Sequence, residues 1–246
     1  MPRIFLSPST QEYNPYVIGG NEEYYMNLLA DAMIPYLNAS NIQYSRNNPN
    51  LTAAAAVAQA NRGRYDLYVA LHSNAAPPAF EGQLRGPDVY YYPTSVQGRR
   101  AAQIIANGLR EIYPDPDLVH TRTSTQLIEV RGPSAPAVLI EIAYHDNEQD
   151  ANWIADNIDE IAENLVASIA DFLGVSFYAP SPLGSGIVTT RSGRLNVRSA
   201  PSTSSAVIGS LDNGSRVEIT QVLDNWYGIR WQDGTGYVYA ANVRRT

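Results

Sequence analysis

The 246-residue chain contains no cysteine. Disulfides, thiolate metal sites and a cysteine nucleophile are therefore excluded, and any bound transition metal must use His, Asp, Glu or weaker oxygen donors. Lysine is absent too: all 17 basic residues are Arg. Histidine is scarce, at three positions, so each one is worth placing. The opening MPRIFLSPST has one basic residue and a short apolar run broken at Pro8, which is expected to be neither a signal peptide nor a membrane helix. What remains is ordinary globular material, 44% hydrophobic and 17% charged, long enough for one large domain and a smaller partner. Residues 1–175 carry 10 Arg against 20 acids, a net of −10, whereas residues 176–246 carry 7 Arg against 4, a net of +3. A mildly basic tail on an acidic body suits an anionic surface. No Arg cluster interleaves with aromatics on one face, which argues against nucleic acid. Neither a membrane partner nor an oligomer is expected.

Strand-like and helix-like segments alternate over the first 173 residues. RIFLS (3–7), IQYSR (42–46), the run ending at His72, DVYYYP (88–93) and PAVLIEIAY read as strands. Between them, Tyr25, Leu28, Leu29, Ala32 and Met33 recur at helical spacing, in a helix that Pro35 should kink or end. NLTAAAAVAQANRGR reads as a helix with Thr52 near its N-cap, followed later by helices over about 95–112 and 148–172. This alternation predicts an α/β fold with a mainly parallel sheet sandwiched by helices, and such sheets bind ligands beyond the carboxyl ends of their strands.

Two strand ends carry polar chemistry. YDLYVALHSNA runs from apolar strand into His72, and PAVLIEIAYHDN buries Glu141 within an apolar run. A carboxylate there is costly without a partner. A histidine and a buried glutamate at two such ends suggest a metal-dependent hydrolase, although a strand-end histidine is by default a hydrogen-bonded structural residue. His120, set among polar residues, reads as a solvated loop residue.

The stretch GVSFYAPSPLGSG (174–186) is rich in Pro, Gly and Ser and reads as a linker. Beyond it, turn signals at DNG, DN and DGTG separate short strands, as in a small all-β barrel. LNVRSAPS, SAVIGSLDNG, NWYGIRW and GTGYVYAANV resemble the bacterial SH3 domain of cell-wall hydrolases. The expected organisation is a catalytic domain over 1–175, a linker over 176–185 and an SH3-like barrel over 186–246. The resemblance implies that the barrel binds peptidoglycan.

The larger region resembles the zinc-dependent N-acetylmuramoyl-L-alanine amidases. The match rests on SRNNPNLTAAAAVAQANRGRYDLYVALHSNAAP with its H-x-N-A turn, on NEEYYMNLLADAM with a helical glutamate four residues before Asn27, and on PAVLIEIAYHDN. The resemblance implies Zn2+, with Glu23 and His72 as ligands (Glu22 being the competitor) and Glu141 as general base. It implies hydrolysis of the amide between the muramic lactyl group and L-alanine, outside the cell or in its wall. The family's first loop, Asp-Pro-Gly-His-Gly, is here Ser7-Pro8-Ser9-Thr10-Gln11-Glu12, and its histidine ligand is missing. Glu12 is the expected replacement, with Gln11 as a weaker donor. His145 is the other candidate, because residues 141, 143 and 145 would point the same way on an extended strand; it could instead hydrogen-bond Glu141 or the tetrahedral intermediate. A stem-peptide peptidase and an inactive wall-binding protein are the alternatives.

Overall fold

The computed structural model describes residues 1–180, 183–223, 225–232 and 234–246, and the chain divides into units Met1–Tyr178 and Ala179–Thr246. The first unit is built on a six-stranded sheet of β1 (Arg3–Pro8), β2 (Gln43–Arg46), β3 (Leu67–Asn74), β4 (Asp88–Tyr91), β5 (His120–Thr123) and β6 (Ala137–Tyr144), in the order β2-β1-β3-β6-β4-β5. Every pairing is parallel except β4 with β6. The helices are α1 (Glu22–Ala39), α2 (Ala53–Ala60), α3 (Val96–Ile112), α4 (Ile128–Arg131), α5 (Glu148–Asp156) and α6 (Ile158–Leu173).

The two faces of the sheet bury different residues, and this sets where the polar groups go. Ile4, Leu6, Val69, Leu71, Val138 and Ile140 enter the larger core, to which α1, α3 and α6 contribute. Phe5, Tyr68, Ala70, Ala137 and Leu139 enter a smaller core with Val57 and Ala60 of α2 and Val130 of α4. Covering on both faces explains the near-continuous apolar strands. The period of two places Ser7, His72 and Glu141 on the face covered by α2 and α4, at the carboxyl ends of their strands. His72 and Glu141 are register partners, and Asp88 is the next partner along the same row.

Four local expectations are corrected. Pro35 does not end α1, which continues to Ala39, because Leu37 and Ile42 beyond it are buried and their packing offsets the lost hydrogen bond. The inward stripe of α1 is Met26, Leu29, Ala30, Ala32, Met33 and Leu37, so of the expected positions Leu29, Ala32 and Met33 are buried while Tyr25 and Leu28 are only half-buried. The helix expected over 148–172 is broken at Asn157, whose side-chain amide donates to Trp153 O at 2.8 Å. His120 is not in a loop but opens β5, an exposed edge strand.

The second unit is an all-antiparallel sheet of β7 (Gly184–Val188), β8 (Leu195–Arg198), β9 (Val207–Leu211), β10 (Arg216–Leu223), β11 (Trp226–Trp231), β12 (Gly234–Tyr239) and β13 (Val243–Arg245). Val188, Val197, Ile219, Ile229 and Val238 form its core. A side chain at Gly209 would run into the Trp231 ring, and one at Gly236 into Val197, so both strands need glycine there. β7 starts inside the stretch that composition reads as linker. Among the described residues, no helix is long and apolar enough to cross a membrane.

The upper end of the first sheet is held by Asp150, which is 1% exposed. It accepts from Gly86 N at 2.9 Å, Tyr144 N at 3.0 Å and the Tyr113 hydroxyl at 2.5 Å, with Arg85 at 3.5 Å. Asp150→Ala is expected to destabilise the first unit by about 3–5 kcal/mol, since it strips a buried network of its acceptor. Urea unfolding checks this, and a loss below about 1 kcal/mol would show the network to be dispensable.

Candidate active site

His72 is held at both ring nitrogens. Its Nδ1 lies 2.8 Å from Glu22 Oε1 and its Nε2 lies 2.8 Å from Glu129 Oε2. All three residues are buried, with exposures of 8%, 1% and 4%. Glu22 comes from the first turn of α1, whose Asn21 cap accepts from Tyr24 N. It stands one helical turn before Met26 on the inward stripe, which is why Glu22 rather than Glu23 reaches the sheet. Asn14 donates to Glu22 Oε2 at 2.6 Å, while Gln11 Nε2 stands 3.4 Å from Glu22 Oε1 and 3.3 Å from His72 Nδ1. Glu129 arrives from the opposite side, on the single turn of α4, and accepts from Ser7 Oγ and the Tyr68 hydroxyl, each at 2.6 Å.

The electrostatics follow from this clamp. Burial would raise both glutamates, but the bonds and charge of His72 outweigh it and hold the Glu22 and Glu129 carboxyls below their ordinary value. Burial opposes charge on the imidazole, yet the two carboxylates raise His72 well above its ordinary value. One positive ring between two carboxylates leaves an excess of negative charge. Glu141 feels it: burial first, then Glu22, Asp88 and Glu129, push its carboxyl up to about 7 against the opposing pull of His72. Its buried Oε2 has no hydrogen-bond partner among the described residues. Asp88 in turn is paired with Arg122 at 2.6 Å. Ser9, Gln11, Asn47, His72, Glu129 and Glu141 all line a cavity of about 550 Å³ between the first loop and the start of α2.

Of the residues singled out from sequence, His72, Glu141, the competitor Glu22 and the weaker donor Gln11 are brought together, Glu12 lines the same cavity from the first loop, and Glu23 and His145 stand apart. Glu12 is exposed, and Glu23 is partly exposed beside it, its carboxyl raised by slight burial and by the Glu12 charge. His145 is buried, but it stacks on Tyr16 at 5.4 Å and its Nδ1 lies 2.9 Å from Ser73 O, a role that fastens the first loop to the sheet. The alternation that would have aimed it at Glu141 is broken by a bulge: two steps on β3, from His72 to Asn74, match three on β6, from Glu141 to Tyr144. Tyr144 therefore follows Glu141 on that face. Glu129 had gone unnoticed. The signal was an acid inside the short apolar run Leu127-Ile128-Glu129-Val130, too short to show a helical period.

Comparison with known proteins agrees with this geometry. Residues 8–171 match the model of the N-acetylmuramoyl-L-alanine amidase family, and residues 193–244 match that of the bacterial SH3 domain. No curated protein sequence matches the chain. Among solved structures, the chain is similar to N-acetylmuramoyl-L-alanine amidase AmiC2 of Nostoc punctiforme, with 19% identity, a TM-score of 0.61, and coverage of 70% of this chain and 97% of that one. It is also similar to the catalytic domain of the CwlV amidase from Bacillus (Paenibacillus) polymyxa, with 15% identity, a TM-score of 0.62, and coverage of 72% and 100%. A third is amidase Ami1 from Mycobacterium smegmatis, with 18% identity, a TM-score of 0.60, and coverage of 70% and 97%. At these identities the structural likeness speaks to the fold, while the family match extends over well over half of the sequence. The chain belongs to the N-acetylmuramoyl-L-alanine amidases, hydrolases of peptidoglycan, and carries a bacterial SH3 domain behind its amidase domain.

Proposed function

We propose that this amidase hydrolyses the bond between the muramic lactyl carbonyl and L-alanine with Glu141 as general base and a zinc ion held by Gln11, Glu22 and His72. The observation that carries this reading is Glu141, whose buried Oε2 has no partner among the described residues and which lines the same cavity as His72 and Gln11. A carboxylate left without a partner is expensive, and an attacking water supplies the missing donor.

The donor set fits zinc, in altered form. Among the described residues, no three His, Asp or Glu side chains make a metal cage alone, so the third donor must be of another type. Gln11 Nε2 stands 3.3 and 3.4 Å from His72 Nδ1 and Glu22 Oε1, which are themselves 2.8 Å apart, so these three residues would hold the ion. The amide oxygen, which here accepts from Tyr13 and Asn14, would serve as the donor after a half-turn of the amide. Bound there, zinc would lower the pKa of water towards about 7 and polarise the scissile carbonyl.

The chain's own residues do the rest. Asn14 and the Ser73 backbone N–H hold Glu22 in place. Glu141, poised near neutrality, accepts a proton from water as its oxygen attacks the lactyl carbonyl. It then passes that proton to the amide nitrogen as the C–N bond breaks, so alanine leaves as an amine. The bacterial SH3 domain would keep the enzyme on peptidoglycan, raising the local substrate concentration, and the site of action would be the wall or the space outside the cell.

Purified walls treated with the enzyme are expected to yield new L-alanine amino termini and no reducing sugar; reducing ends, or termini other than alanine, would contradict the reading. His72→Ala should lose zinc together with activity, and equal metal content in the two proteins would remove the zinc mechanism.

Glu141→Gln should lower kcat by about 100-fold or more while zinc is retained. Wild-type kcat/KM should fall as the pH drops through about 7, the value to which Glu141 is raised. The same shift bears on stability with a definite sign. A carboxyl raised from 4.5 to about 7 in the folded state costs stability increasingly as pH rises between those values, and by a constant amount above. In zinc-free protein, Glu141→Gln should therefore leave Tm unchanged near pH 4.5 and raise it by several degrees above pH 7. A pH-independent difference would contradict the assignment.

A further inference from the structure

One of the two carboxylates that clamp His72 has no role in the mechanism above. Glu129 is 4% exposed and sits on the opposite side of the His72 ring from Glu22. Leu127, Ile128 and Val130 pack into the smaller core around it and fix the single turn that carries it. Its own bonds are short and complete. Oε1 accepts from Ser7 and Tyr68, each at 2.6 Å, and Oε2 pairs with His72 Nε2 at 2.8 Å. All three partners stand on β1 and β3, on the face of the sheet that α4 covers.

On the other side of the ring, Glu22 Oε1 meets Nδ1 at 2.8 Å and stands 3.4 Å from both Gln11 and the Ser73 N–H, while its Oε2 accepts from Asn14 at 2.6 Å. The two nitrogens of His72 therefore face differently held carboxylates: Glu129 is anchored to the sheet by Ser7 and Tyr68, and Glu22 shares its Oε1 with the Gln11 amide of the first loop. Tyr68 stays a donor, since burial and the adjacent Glu129 charge raise its hydroxyl far above the working range.

We propose that Glu129 is the positioning residue of His72: it holds the Nε2–H, fixes the ring plane, and leaves Nδ1 as the nitrogen offered to the Glu22 and Gln11 side. A histidine whose second nitrogen is bonded to a carboxylate is both oriented and made more basic as a ligand. Ser7 and Tyr68 serve the same end one step further out, by fixing the carboxylate itself. The inference deepens the zinc reading and rests on it only for metal affinity; the proton on Nε2 is held by Glu129 whether or not a metal is bound.

The test follows both quantities in the full-length protein. Zinc affinity is measured by chelator competition for wild type, Glu129→Gln and Tyr68→Phe, and the His72 ring proton is followed by 15N-edited NMR with and without zinc. Wild type should show a slowly exchanging proton on Nε2 that survives zinc loading. Glu129→Gln should move that signal upfield, speed its exchange and weaken zinc binding about 10–100-fold. Tyr68→Phe, which keeps the carboxylate, should weaken binding only several-fold and keeps the test decisive should Glu129→Gln fold poorly. Loss of the Nε2 proton on zinc loading would overturn the proposal by making Glu129 a ligand. An unchanged ring signal or an unchanged affinity in Glu129→Gln would overturn it as well. If wild type takes up no zinc, the metal reading falls, and the Nε2 proton alone decides: its perturbation in Glu129→Gln supports the positioning role, and its constancy refutes it.

Discussion

One imidazole clamped between two buried carboxylates governs this site. Breaking such a buried pair costs several kcal/mol because the surviving charge is left uncompensated, so His72, Glu22 and Glu129 stand or fall together. The clamp ties α1, β3 and α4 to a single point. It also has an electrostatic consequence one strand away. Burial lifts the neighbouring Glu141 to about 7, with Glu22, Asp88 and Glu129 adding to it against the pull of His72, and at that value a carboxyl serves both to take up and to release a proton.

Much of this was legible in the sequence. Alternating strands and helices indicated the layered fold, because buried parallel strands must be apolar on both faces. His72 and Glu141 stood out because each interrupts or ends such a run, and a polar residue in that position needs a reason. The turn-rich tail declared its barrel through glycines and short strands.

What stayed hidden depended on facing and register. Glu22 and Glu23 differ by one helical step, and only the buried stripe through Met26 and Leu29 decides between them. The resemblance counted four residues back from Asn27 and so pointed to Glu23, with Glu22 as the competitor. His145 was separated from Glu141 by one extra residue on β6, a bulge that no periodicity announces. Glu129 lies on a single helical turn. Gln11 carries no charge, so as a donor it is outranked in the sequence by Glu12, which is exposed at the cavity rim while Gln11 reaches His72.

The comparison with the family sharpens the consequence. Where the family's first loop supplies a histidine, the site proposed for this chain uses an amide, and among the described residues its one imidazole is His72. A one-histidine, oxygen-rich shell is therefore the central claim. X-ray absorption at the zinc edge of the loaded protein counts imidazoles directly, through their outer-shell scattering. The account predicts one imidazole, with oxygen completing the shell; two or more imidazoles would contradict it.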